Sequence, residues 1–227
     1  MKHTTPFFQA VIAIAGKDLR AEVRNRQLIS AVGLFALMAT MVFFYTLEGQ
    51  HSVQVLALPA VTWVITVFAG TLGLSRSLAQ EQDSGSLDAL LLAPIDRAAL
   101  FYGKLISTQL YSLLVAGIVS LVLSVLFNVG LNLLLWGLII LLGTLGFSTV
   151  GTLLGSMAIH TRGRETTLPI LILPVALPII IASVNASNAL IADMAFSDWS
   201  VWLLVLLSVD VIFLVLAFVL FDFIVEE

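Results

Sequence analysis

The sequence predicts an all-α integral membrane protein with six spanning helices, and three observations predict it. Hydrophobic residues fill 60% of the 227 positions and charged ones 11%, against about a quarter charged in a soluble domain; mean hydropathy is +1.10. Six apolar runs each suffice for a bilayer core of about 30 Å, which takes about 20 helical residues. All ten Lys and Arg fall on one side of the membrane that those runs define. The spans must be helical, because hydrocarbon offers no partner to open backbone groups.

Residues 7 to 26 come first and read as an amphipathic helix on the membrane surface. Phe8, Ile12, Ala15, Leu19 and Val23 recur at helical spacing, with Lys17, Arg20 and Arg24 on another face, suited to headgroups. Glu22 and Arg26, four apart, are placed to pair. The run ending at Ala13-Ile14-Ala15 has the small-x-small form of a signal cleavage site. Cleavage there would strand Lys17, Arg20, Arg24 and Arg26 on the translocated side, against the positive-inside rule, so the segment is expected to stay.

The spans follow at about 28 to 47, 54 to 75, 105 to 127, 132 to 158, 167 to 185 and 199 to 221. With both termini cytoplasmic, the outer connections 48 to 53, 128 to 131 and 186 to 198 hold Glu48, His51, Asp193 and Asp198 but no Lys or Arg. The inner side collects Lys2, Lys17, Arg20, Arg24, Arg26, Arg76, Arg97, Lys104, Arg162 and Arg164. Trp136, Trp199 and Trp202 fall where interfacial anchors sit, and Trp63 lies deeper, as packing. The whole chain, 1 to 227, is one transmembrane domain with no soluble domain.

Charge and composition exclude several functions. A net charge of −4 gives no nucleic-acid patch, and zero cysteines rule out disulfides, thiolate metal sites and a cysteine nucleophile. No serine has a histidine base near it, so the chain is read as carrying no catalytic site. Gly16-Lys17 and Gly103-Lys104 lack the rest of a phosphate-cradling loop, so any ATP is bound elsewhere. His51 and His160 are read as solvated residues rather than haem ligands, and no metal site is expected.

The long inner loop, 76 to 104, is the most telling stretch. Glu81 and Asp83 offer negative charge to a following helix start, Gly85 breaks the path from the span, Leu87, Leu90 and Leu91 form an apolar face, and Pro94 ends it. Such a helix either inserts into a groove on a cytoplasmic partner or covers the bundle. In the fourth span Thr144, Ser148, Gly151 and Gly155 make a small-residue stripe for close helix packing, within the chain or between two copies. Pro169, Pro174 and Pro178 are expected to kink or unwind the fifth span, either for gating or as ordinary membrane prolines. Asp210, midway along the sixth, must be protonated, paired or facing water.

Four places together resemble a known family: Lys17-Asp18-Leu19-Arg20 with Glu22 and Arg24, Gly73-Leu74-Ser75-Arg76, Glu81 through Pro94, and Gly103-Lys104. The loop resembles that of ABC-2 type permeases, and over nearly its full length the chain is similar to the haem exporter protein B (CcmB) family of the bacterial cytochrome c maturation system. The resemblance implies a multi-pass inner-membrane permease whose cytoplasmic ABC ATPase partner binds ATP and acts through Glu81, Gly85, Leu87, Leu90, Leu91 and Pro94. It also implies two copies per complex, a haem-handling membrane subunit alongside, and haem as cargo or as the load of a chaperone released outside. A permease for a lipid-linked saccharide or a drug, and a membrane scaffold without a transport cycle, are the competing readings.

Overall fold

The computed structural model describes residues 6–83, 97–157 and 164–224. Among the described residues seven helices follow one another: α1 (Phe7–Arg24), α2 (Arg26–Thr46), α3 (His51–Asp83), α4 (Arg97–Phe127), α5 (Leu133–Met157), α6 (Arg164–Ile191) and α7 (Phe196–Ile224). The last six are long and apolar enough to cross a membrane. The chain is therefore a multi-pass, all-α membrane protein.

Hydroxyl groups inside the spans are satisfied locally in many places. Thr66 donates to the Thr62 carbonyl at 2.7 Å, Thr71 to Val67 at 2.7 Å, Ser75 to Thr71 at 2.8 Å and Ser120 to Ala116 at 2.7 Å. Each bond returns a polar side chain to its own helix, which is how serine and threonine are tolerated in lipid.

Helix α3 packs against α2, α4 and α6, and α5 against α4, α6 and α7. Two apolar clusters mark opposite ends of the bundle. One gathers Leu58, Phe127 and Trp136, with Phe43, Leu47 and Ile191 against them. The other joins α1 to the start of α4 and the last turns of α5 and α7 through Ile14, Leu100, Leu105, Leu153 and Ala217.

At the first of these ends, each short connection turns on a left-handed residue: Gly49 (φ 79°), Asn128 (φ 53°) and Asp193 (φ 51°). Glycine meets no Cβ penalty there, and Asn and Asp tolerate the conformation. After α4 the Val129 N–H reaches back to the Ser124 carbonyl at 2.9 Å, and after α6 that of Met194 reaches Ala189 at 3.1 Å. These six-to-one bonds occupy carbonyls that the helix ends would leave open.

The helices outrun the expected spans. Helix α3 continues to Asp83, past the expected end at 75, because Arg76 to Asp83 contains neither proline nor glycine. Glu81 thus lies in the closing turn of α3, and α4 begins at Arg97; the helix expected between them falls on residues 84–96, outside the described residues. Helix α6 reaches Ile191, so residues 186 to 191, expected in an outer connection, are helical; Asn185 donates to the Ile181 carbonyl at 2.7 Å. The same helix is continuous through Pro169, Pro174 and Pro178, without the unwinding those prolines led one to expect. Asn25 separates α1 from α2, so Glu22 and Arg26 lie in different helices rather than one turn apart in a single one. Trp136 and Trp199 are buried rather than turned to headgroups: Trp136 joins the core, and Trp199 stacks edge-on against Phe196 at 5.0 Å.

Candidate functional site

Helix α1 has three faces, not two. Phe8, Ile12 and Val23 stay exposed as an apolar stripe, Lys17, Arg20 and Arg24 form the basic face, and Ala10, Val11, Ile14, Ala15 and Asp18 are buried. The buried face lies on the first turns of α4. Gly103 makes the approach possible: a Cβ there would come within 2.7 Å of the Ile14 Cβ and 3.3 Å of the Val11 carbonyl oxygen. Phe7 meets Tyr102 edge-on, with ring centroids 6.2 Å apart.

An ion pair closes this contact. Asp18, only 5% exposed, places one carboxylate oxygen 2.9 Å from the Lys17 Nζ and the other 3.9 Å from the Lys104 Nζ. Lys104 is itself 12% exposed. Two segments 86 positions apart in sequence, Lys17-Asp18 and Gly103-Lys104, thus form a single clamp. It holds α1 to the helix that emerges from the connection after α3.

Gly73-Leu74 belongs to the next layer. A Cβ on Gly73 would sit 2.5 Å from the Tyr111 ring, so α3 and α4 touch closely there, and one on Gly151 would lie 2.8 Å from the Leu74 Cδ2. The small stripe of α5 therefore faces neighbours in its own chain. Thr144 accepts a hydrogen bond from the Gln109 amide at 3.0 Å, Ser148 lies 3.5 Å from the Ser112 hydroxyl, and Gly155 is buried with them.

The other face of α5 meets α6 and α7. Gly143 lies against Trp63 and Ser183, and Gly146 against the Asp210 Oδ1, with Ile179 beside it. Asp210 is 2% exposed and Ser183 is wholly buried. Neither carboxyl oxygen of Asp210 nor the Ser183 hydroxyl has a hydrogen-bond partner among the described residues. One turn along α6 from Ser183, the Trp63 indole N–H donates to the Ser187 hydroxyl at 3.2 Å.

A comparison with protein families matches the one described as CcmB protein over residues 9–223, nearly the whole chain. The chain belongs to the CcmB family. No curated protein matches it. CcmB membership makes it a permease component of the haem-export system of cytochrome c maturation, a membrane subunit of an ABC system with an ATPase partner.

Within this CcmB chain, the expected site residues fall into separate places. Lys17 joins the clamp, while Arg20 and Arg24 remain on the exposed face of α1. Ser148, Gly151 and Gly155 lie in the α5 interface, and Asp210 on the opposite side of that helix, against Gly146. Glu81 is in the last turn of α3; Gly85, Leu87, Leu90, Leu91 and Pro94 lie outside the described residues, as does His160. His51 is exposed at the start of α3. Sequence reasoning missed the Asp18–Lys104 pair, Gly143, Gly146 and Ser183. The glycines carried a readable signal in their three-residue spacing, whereas the ion pair and Ser183 carried none, since partners on different helices share no local pattern.

Proposed function

We propose that this chain is the transmembrane subunit of an ABC complex in the bacterial inner membrane, coupling ATP hydrolysis by a cytoplasmic ATPase to release of a haem-loaded chaperone on the periplasmic side. The clamp among Asp18, Lys104 and Gly103 carries the reading. The connection holding Gly85 to Pro94 feeds directly into α4, and the clamp fixes α1 to the root of that helix. Force applied by an ATPase at the connection would then move α1 and α4 together, with no haem-binding constellation needed inside this subunit. Glu81, Leu87, Leu90 and Leu91 are the proposed contacts with the ATPase, in a complex holding two copies of this chain and a separate haem-handling subunit.

Two measurements test this. Deleting the gene should abolish covalent haem in c-type cytochromes; intact haem attachment would sink the cytochrome assignment. Copurified with its ATPase, the complex should lose coupled hydrolysis on substitution of Glu81 or of Leu90 and Leu91. Unchanged hydrolysis with full assembly would leave a scaffold, not a coupled permease.

A further inference from the structure

Asp210 stands near the middle of α7, between α5 and α6, and its surroundings supply nothing to balance a charge. Helix α5 has no titratable residue, and α6 has only Arg164 and Glu165, at its first two positions. Helix α4, which α7 also touches, carries Arg97, Tyr102 and Lys104 in its opening turns and Tyr111 beyond them; Tyr111 packs toward Gly73 of α3. Along α7 itself, Asp198 and Asp222 lie three turns or more from Asp210.

The three states open to an intramembrane acid are thereby reduced to one. Water is excluded, for the side chain is 2% exposed. Pairing is excluded among the described residues, for neither oxygen has a donor within reach. An ionised carboxylate only accepts hydrogen bonds, so it cannot use its own helix's carbonyls as Thr66, Thr71, Ser75 and Ser120 do. Placing that charge unpaired at mid-bilayer costs about 2.5 kcal/mol or more. The space at Oδ1 is closed by the backbone of Gly146, so a hydrated cation does not fit, but a proton does.

The closed seam also leaves polar groups unsatisfied. Ser183 and Asp210 both lie along Gly143 and Gly146 without partners, a cost that hydration would recover. Opening of the seam to water would let both groups recover hydrogen bonds that the closed form denies them. We propose that Asp210 is a proton-binding site, filled while α7 is closed on α5 and emptied when this seam opens to water. On closing, a proton passes from hydronium to the carboxylate and leaves water behind; opening reverses the transfer.

Infrared spectroscopy of the intact complex in liposomes, at about pH 6 and so still above the ordinary carboxylate range, reads the site without any ATPase activity. The wild type should show the C=O stretch of a protonated carboxylic acid, and Asp210→Asn, or the smaller Asp210→Ser, should lack it. Absence of that band from the wild type would overturn the proposal. So would a band that survives both substitutions. Emptying and refilling is read separately in a strain whose cytochrome haem attachment depends on this gene: Asp210→Asn, present at normal membrane levels, should lower attachment by an order of magnitude or more. Normal attachment with that variant would reduce Asp210 to a packing residue, while leaving the cytochrome assignment standing on the wild-type control.

Discussion

A methyl group added at Gly143 would run into the Trp63 ring and the Ser183 hydroxyl, and one at Gly146 into Asp210 and Ile179. At Gly33 and Gly137 the same methyl meets nothing within 4 Å. Alanine substitution should therefore split the glycines of one chain into two classes. Overpacking at Gly143 or Gly146 should cost about 1–3 kcal/mol, whereas Gly33→Ala and Gly137→Ala should be neutral or gain up to about 1 kcal/mol from the lower entropy of alanine. Thermal unfolding of the detergent-solubilised protein measures this, and equal shifts in the two classes would contradict the packing described. The presence of these glycines was legible in the sequence. Which of them face a neighbour was not, because a lone glycine carries no side-chain periodicity to mark its face.

Among the elements, α1 departs most from its sequence reading. Its apolar stripe and basic face were legible from helical spacing, but a third face, centred on Val11, Ile14 and Asp18, is buried against α4. That face mixes apolar side chains with an acid, so no hydrophobic pattern announces it; the burial depends on Gly103 and Lys104 arriving from far along the chain. The basic residues of α1 should then differ sharply from the acid in their contribution to stability. Asp18→Ala removes the partner of a nearly buried lysine and should destabilise by about 1–3 kcal/mol, between the exposed and fully buried limits. Arg20→Ala and Arg24→Ala, on the exposed face, should cost less than about 0.5 kcal/mol. Chemical denaturation of the three variants in one detergent decides between them, and a loss no larger for Asp18 than for the arginines would show that the clamp does not hold α1.

For the whole molecule, the charge distribution predicts a topology that accessibility can test. The native chain has no cysteine, so a single introduced thiol reports alone. Cysteines replacing Gly49 or Asp193, in the connections of one end, should react with a membrane-impermeant maleimide applied to intact cells. A cysteine replacing Arg76, beyond the apolar part of α3, should react only after the membrane is opened. Labelling of Arg76→Cys in intact cells would invert or break the expected arrangement.

Six spanning helices and their order were determined by the sequence itself, which also predicts a one-sided placement of basic charge. Membrane crossing depends on continuous apolar length, and orientation on Lys and Arg counted along the chain; both are local, additive quantities. Helix ends were legible only approximately, since polar helix formers such as Arg76 to Asp83 prolong a helix beyond the apolar segment that defines a span. Tertiary structure alone decided that Asp18 meets Lys104, that Gly103 admits α1, and that Asp210 faces Gly146 with no partner among the described residues. Each of these depends on which helix lies beside which and at what rotation. In a chain where nearly every surface is apolar, the hydrophobic pattern cannot encode that choice; small residues and a few polar side chains make it, through contacts between distant segments.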